Sequence, residues 1–463
     1  MAVLKKDIKV SNQNKLTSYF PIRTSTKEGS FDWDVAQGIV VRNVYKKEVS
    51  RALKGKIKDG DGNAIDSSLK NFSDICRKDF DQRLDERELW SYIEEMYFSG
   101  DTIYQVAPES LLFKITSLPS GSSKHLLGDM FSSLMQGFNV INPVRIERNF
   151  IEQQVVDSLR SAKVLEDYDG RRLSKNINEN PYLPFLTKYF KKDLNFLTNH
   201  PRYLIDNLKE LLKLYGYLYT AQLSLNINGW TAAPTVKPLY FILENETASK
   251  ERSGLLVKNG HQNVAKSFKY LFPYLTISES LQQMDETDKK NNKNRLPLWE
   301  LASRLTEDDT LAIKTYTMAF AEDRNRDSEY NFPYDENEGD PQTWLKALLE
   351  LSVKQFDKGQ TREAAQGKFI KSIEQELCGA FVKSRGQTGK VLVMNQDYLA
   401  LLTNLAIGDN EKLRFHELLE EFRARGVYFD KQTQQSLIRF YERVGNVERM
   451  SDSGDAVYVR KTV

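Results

Sequence analysis

NQDYLALLTNLAIGDNEKLRFHELLEEFRARGVYFDKQTQQSLIRFYERVGNVERMSDSGDAVYVRKTV, residues Asn395 to Val463, is the stretch whose reading decides the fold. Asp397 to Ala406 carries Tyr398, Leu401, Leu402, Leu405 and Ala406 at helical spacing, and Gly408 can close that helix in the left-handed conformation. A second helix is predicted from Asp409 or Asn410, with Leu413, Leu418, Leu419 and Phe422 along one stripe and Gly426 as its stop. Val427, Tyr428 and Phe429 form a β-prone run, and Asp430 is placed to cap a third helix. That helix turns Leu437, Phe440, Tyr441 and Val444 inward and Lys431, Gln435, Arg439 and Glu442 outward. Val447 to Met450 and Ala456 to Val459 read as two strands joined by the turn Ser451-Asp452-Ser453-Gly454. Helix, helix, short strand, helix and hairpin is the order of a winged helix.

In such a domain the third helix commonly enters the major groove while the hairpin touches phosphate. Lys431, Gln435, Arg439, Arg443, Arg449, Arg460 and Lys461 are therefore candidate DNA contacts. Against this, residues 431–463 hold six Lys or Arg and four Asp or Glu, and Glu442 shares the face that would meet DNA. Winged helices also serve as protein-protein modules, so both uses stay open.

Composition narrows the remaining choices. The 463 residues suffice for several domains with cores of their own, and 40% hydrophobic with 28% charged is ordinary for a globular protein. Cys76 and Cys378 supply neither a disulfide framework nor a CxxC motif, which fits a reducing compartment. No run approaches the roughly 18 apolar residues of a membrane span, and MAVLKKDIKVSNQNK has no apolar core of a signal peptide. A cytoplasmic protein with no membrane partner is expected. The formal net charge of +2 rules out an overall electrostatic attraction to nucleic acid, so DNA binding would have to come from local patches.

One such patch is predicted near the start. Val41, Tyr45, Val49, Leu53 and Ile57 recur every four residues, as on the apolar stripe of an amphipathic helix over 41–58. Arg42, Lys46, Lys47, Arg51, Lys54 and Lys58 lie off that stripe, and the segment holds seven Lys or Arg, Lys56 included, against the single acid Glu48. Cations aligned this way could track a phosphate backbone, or could form a solvated face or meet an acidic protein. Further on, helix is expected around 79–98, and a loop or boundary at 117–128. Two long helices follow at 181–200 and 201–225, then a strand at Lys237 to Leu243 and a second short one at Leu255-Leu256-Val257. Met284 to Arg295 reads as a flexible polar loop, Asn325 to Asp340 as a break, and Pro341 as a helix start. The chain is thus expected to be mainly α with a few short strands. It divides into an N-terminal segment 1–117, a central helical segment 118–285, a helical region 286–394 and the winged-helix-like end 395–463.

Several fragments approach known chemistry and fall short. Gly386-Gln387-Thr388-Gly389-Lys390 lacks the first Gly of a phosphate-binding loop, where Ser384 stands, and its Ser or Thr, where Val391 stands, with no preceding strand evident. A turn is expected there. Asp59-Gly60-Asp61-Gly62-Asn63 opens like a calcium loop, but Ala64 and Lys70 occupy positions that need Gly and Glu. His125, His200, His261 and His416 are scattered without metal-ligand spacing. No catalytic residue, metal site or cofactor is assigned, and a nuclease would need carboxylates that converge only in three dimensions.

The end of the chain, GVYFDKQTQQSLIRFYERVGNVERMSDSGDAVYVRKTV at 426–463, resembles the C-terminus of the DptG family, and Tyr19-Phe20-Pro21-Ile22-Arg23 and the total length fit the same family. These are subunits of bacterial restriction systems that depend on DNA phosphorothioation. The resemblance implies a cytoplasmic anti-phage defence protein working with two larger partners, DptF and DptH, against DNA that lacks the sulfur modification. ATP-driven functions would then belong to the partners. The expectation is a non-catalytic subunit that binds double-stranded DNA and scaffolds the complex; a divergent metal-dependent nuclease subunit and a pure protein-protein adaptor are the alternatives.

Overall fold

Apolar residues at helical spacing along most of the chain become seventeen α-helices, with eleven short strands, among the described residues. In this computed structural model the described residues are 2–10, 19–21, 31–58, 64–81, 89–118, 122–140, 148–168, 180–248, 250–290, 293–325, 339–360, 362–450 and 456–463. The protein is mainly α with a few short strands, as the patterning predicts. No helix among the described residues is long and apolar enough to cross a membrane. The chain forms two compact units, each discontinuous in sequence: Lys27–Ile177 with Phe190–Leu212, and Met1–Thr26 with Asn178–Tyr189 and Lys213–Thr462.

The first unit is built around the helix Trp33–Tyr45, whose Asp32 cap accepts a 3.1 Å hydrogen bond from Val35 N–H. Ile39, Val40, Val41 and Val44 are buried in it, and it packs on the 3-10 segment Pro108–Ile115 and the helix Leu126–Leu134. Gly38 is required by that approach, because a Cβ there would lie 2.6 Å from Ile115 Cγ2. Four strands complete the unit: β1 Lys47–Val49, β2 Lys56–Lys58, β3 Ala64–Asp66 and β4 Leu165–Asp167, with β1 antiparallel to β4 and β2 antiparallel to β3.

This arrangement corrects the expected basic helix over 41–58. The helix ends at Tyr45, and Lys46 takes the left-handed conformation at φ 53° as its C-cap. Lys47 then enters β1 and pairs with Asp167 at 2.6 Å, Arg51 opens a 3-10 turn, Lys54 follows that turn, and Lys58 ends β2. The four-residue period of apolar residues was real, but Val49 and Ile57 are β-branched and Gly55 weakens a helix, so strand pairing overrides the local pattern. Arg42, expected to point outward, is 1% exposed, because its part of the helix is surrounded by core. Its guanidinium carbon stands 4.5 Å from the Tyr168 ring centroid.

The second unit carries a four-stranded sheet. Its strands are β5 Leu239–Leu243, β6 Val382–Ser384, β7 Lys390–Met394 and β9 Val427–Phe429, in the order β6-β7-β5-β9. β5 is parallel to both β7 and β9, while β6 and β7 form an antiparallel pair. The segment 386–390 joins β6 to β7 as a turn, with Gly389 at φ +76°. A strand does precede it, contrary to the sequence reading, but a strand rather than a helix follows. Leu255-Leu256-Val257, expected as a strand, lies in the helix Lys250–Lys258, where Leu256 packs on Ile242, Val391 and Val393 beside the sheet. The polar tract after Met284 holds a short helix, Glu286–Lys290. Tyr19 and Phe20 are buried in this unit, the Tyr19 ring 5.5 Å edge-on from Tyr182 and the Phe20 ring 6.1 Å from Phe369.

Within the same unit the chain ends with the helix Gln396–Ile407, β8 Lys412–Arg414, the helix Phe415–Ala424, β9, the helix Lys431–Val444, and the hairpin of β10 Val447–Met450 and β11 Ala456–Arg460. The expected second helix is shorter than predicted, because Leu413 belongs to β8, which pairs with β11 and completes a sheet of order β10-β11-β8. β9 joins β5 in the other sheet. Val444, expected inward, is 51% exposed at the end of its helix. The turn 451–454, the calcium-like segment 59–63, Ile22 and Arg23 lie outside the described residues.

Candidate nucleic-acid interface

Leu239, Phe241 and Ile242 are buried along β5, and the strand runs out at Glu244. Two residues on, Glu246 turns back as an acceptor. Its Oε2 takes hydrogen bonds from Leu243 N–H at 3.0 Å and Thr433 Oγ1 at 2.7 Å, and its Oε1 takes one from Ser436 Oγ at 2.9 Å. Arg252, 6% exposed, grips Asp430 with two parallel hydrogen bonds, Nε to Oδ2 at 2.7 Å and Nη2 to Oδ1 at 3.0 Å. Its Nη2 also donates to Thr433 Oγ1 at 2.6 Å. Asp430 is meanwhile the cap of the Lys431–Val444 helix, accepting from Thr433 N–H at 2.8 Å. Burial opposes ionisation of Asp430, but the Arg252 bonds and the Thr433 N–H outweigh it and hold the carboxyl below its ordinary range. The helix is thus fixed by its first turns to the end of β5.

Along this anchored helix Lys431, Gln435, Arg439 and Arg443 follow one another every four residues, and all four are exposed. Lys431, Gln435, Arg439 and Glu442, expected to point outward, are all exposed. Arg439 Nη2 donates to Ser436 Oγ at 3.1 Å, and the Arg443 guanidinium lies 5.8 Å from the Phe440 ring centroid. Ion pairs among the described residues involve none of Lys431, Arg439 and Arg443, whereas the hairpin cations are committed. Arg449 pairs with Glu442, Arg460 Nε donates to Glu448 at 3.0 Å, and Lys461 Nζ donates to Gly408 O, the C-cap of the Gln396–Ile407 helix, at 3.0 Å. Glu442, which weighed against DNA in the sequence, has its charge answered by Arg449.

The structure does not bring the N-terminal cations into one surface helix: Arg42 is buried, while Lys46, Arg51 and Lys54 are exposed on a cap, a 3-10 turn and the link after it. What the sequence reading missed is a cleft of about 310 Å³. It opens at the carboxyl ends of β5 and β7, and Arg439, Phe440, Arg443, Asn395 and Gln396 are among its lining. Asn395 caps the Gln396–Ile407 helix, its Oδ1 accepting from Tyr398 N–H at 2.8 Å. The run Lys-Val-Leu-Val-Met at 390–394 was the signal for β7, and with it for the parallel sheet that makes the cleft.

Among the described residues, no group of three or more His, Cys, Asp or Glu side chains is placed to hold a metal ion. Set against models of known protein families and against curated proteins, the chain matches none.

Proposed function

We propose that this chain is a non-catalytic DNA-binding and scaffolding subunit, with the Lys431–Val444 helix as its contact to the phosphate backbone. The observation that carries this reading is the row Lys431, Gln435, Arg439 and Arg443, exposed on one helix face that is held rigid by Arg252 and Asp430. Unpaired cations on a fixed helix release counterions from DNA at little conformational cost, whereas cations already paired with carboxylates gain less. The helix order and the three-stranded β10-β11-β8 sheet support a winged-helix reading of this end. Because the hairpin charges are answered internally, contact falls to the helix rather than the wing. The resemblance of residues 426–463 and of Tyr19 to Arg23 to the DptG family supplies the context: a phosphorothioation-dependent restriction complex with DptF and DptH, acting on unmodified DNA.

The test is fluorescence anisotropy of the purified chain on unmodified duplex DNA across a salt series, beside the double variant Arg439→Glu/Arg443→Glu. Two fewer phosphate contacts should lower the salt slope by about 2, and reversing both charges should abolish measurable binding at physiological salt. Absence of binding by the wild type would overturn direct DNA contact and make this helix a docking surface for protein. Cutting of DNA by the purified chain with Mg²⁺ or Mn²⁺ would overturn the non-catalytic assignment.

A further inference from the structure

The cleft beside the stripe has the makings of a ligand site of its own. β5 lies between its parallel partners, and the chain visits them in turn, β7 on one side and β9 on the other. In open α/β sheets ligands bind outside the carboxyl ends of the strands, and this cleft lies at the carboxyl ends of β5 and β7. Leu243 ends β5 and Met394 ends β7, and both line the cleft.

The lining divides by chemistry. Arg439 and Arg443, one turn apart, line the cleft with their charges unclaimed by ion pairs among the described residues. The twelve-residue helix Gln396–Ile407 begins at the cleft, and its dipole favours negative charge there, although Asn395 already takes the Tyr398 N–H and Asp397 stands in the same first turn. Phe440, Leu399 and Met394 add apolar lining, and the amides of Asn245 and Gln396 offer donors and acceptors. Glu246 also lines the cleft, but hydrogen bonds from Ser436, Thr433 and Leu243 N–H and the nearby Arg252 occupy both its oxygens. Glu244 stands exposed in the lining, an acceptor for a hydroxyl donor and a charge that opposes a larger polyanion. At about 310 Å³ the space exceeds what a bare phosphate fills and sits at the small end of ligand pockets.

We propose that this cleft binds a singly phosphorylated nucleoside unit, with the phosphate at Arg439 and Arg443 and the base against Phe440. The proposal deepens the DNA-contact reading and rests on it for the role of the two arginines. The same chemistry could be presented by a free nucleoside monophosphate or by the 5′-phosphorylated end of a DNA strand.

The experiment is calorimetric titration of the full chain with inorganic phosphate and with deoxyadenosine 5′-monophosphate, together with anisotropy on duplexes carrying a 5′-phosphate or a 5′-hydroxyl. Wild type, Gln396→Glu and Gln396→Lys are compared. Gln396 is the first residue of its helix and exposed, so either charge is accommodated without disturbing the core. The nucleotide should bind at least about tenfold more tightly than phosphate; Glu at 396 should weaken it, and Lys strengthen it, by about tenfold each, since charge-assisted bonds are worth that much. A structural disturbance would move both variants the same way and overturn the proposal, as would absence of nucleotide binding. Preference for 5′-phosphorylated ends identifies the DNA terminus as the source; equal binding of both ends, with competition by the free nucleotide, identifies the mononucleotide. Closed circular duplex, which has no ends, separates this idea from its premise. Loss of circle binding alone overturns the DNA-contact reading, and loss of nucleotide binding alone overturns the cleft.

Discussion

Asp430 does two jobs with one carboxylate, capping a helix and neutralising Arg252, and the second is the costlier to lose. Its replacement by Ala removes a cap worth about 1 kcal/mol and leaves a guanidinium that is 6% exposed without its bidentate partner, at a total of about 3–5 kcal/mol. Urea unfolding of Asp430→Ala should show that loss as a lower midpoint at unchanged slope, and adding Arg252→Met should recover much of it. Two other residues carry opposite pH dependences. Burial pushes the Asp129 carboxyl up from 3.8 to about 7, with the Arg42 charge opposing the shift. Folded protein therefore holds a proton that unfolded chain releases, and this stabilisation is present below about pH 4 and lost as pH rises through 7. His261, 1% exposed, is pushed the other way, from 6.5 to about 4, chiefly by burial. Its nearest carboxylate, Glu374, stands 3.8 Å from Nε2, too far for a hydrogen bond. Stability from neutral His261 is present above pH 6.5 and lost as pH falls to 4. Asp129→Asn should therefore remove a decline in stability between pH 4 and 7, and His261→Gln a decline on acidification, both read by chemical denaturation across that range.

At the scale of elements, the difference between the two basic segments is whether the cations share a helix. Lys46, Lys47 and Lys54 sit on a cap, a strand and a link, and Lys47 is already paired with Asp167. The triple substitution Lys46→Glu/Lys47→Glu/Lys54→Glu should change duplex affinity far less than Arg439→Glu/Arg443→Glu does in the same salt series. Helix caps explain why the C-terminal end was legible: Asp430 begins its helix and Gly445, at φ +78°, ends it, and both signals are local. β8 was not legible, because Lys-Leu-Arg at 412–414 has no pattern of its own and becomes a strand only by pairing with β11. The Glu246, Arg252 and Asp430 network was hidden for the same reason, since Arg252 and Asp430 alone are 178 residues apart. The stripe could be read from one helix; the cleft required knowing that β5 lies between β7 and β9.

For the molecule as a whole, the opposed titrations become a probe of how its two units unfold. Asp129 belongs to one unit and His261 to the other. The chain passes between units inside continuous helices: Pro184–Asn199 has its first residues in one and the rest in the other, and Pro201–Ile227 is divided after Leu212. Unfolding either unit alone would break both of these helices at points where their backbone hydrogen bonds run uninterrupted. The buried run Leu208, Leu211, Leu212, Leu214 and Tyr215 spans the crossing after Leu212. Calorimetry should therefore give one cooperative transition, with its van't Hoff and calorimetric enthalpies in agreement. Between pH 6.5 and 4 the contributions of Asp129 and His261 should largely offset within that transition, so the melting temperature moves little. Asp129→Asn should then expose the His261 dependence, with the melting temperature falling on acidification, and His261→Gln should expose the reverse. Two peaks moving apart with pH would show instead that the shared helices melt locally at the crossing and that the units are thermodynamically independent.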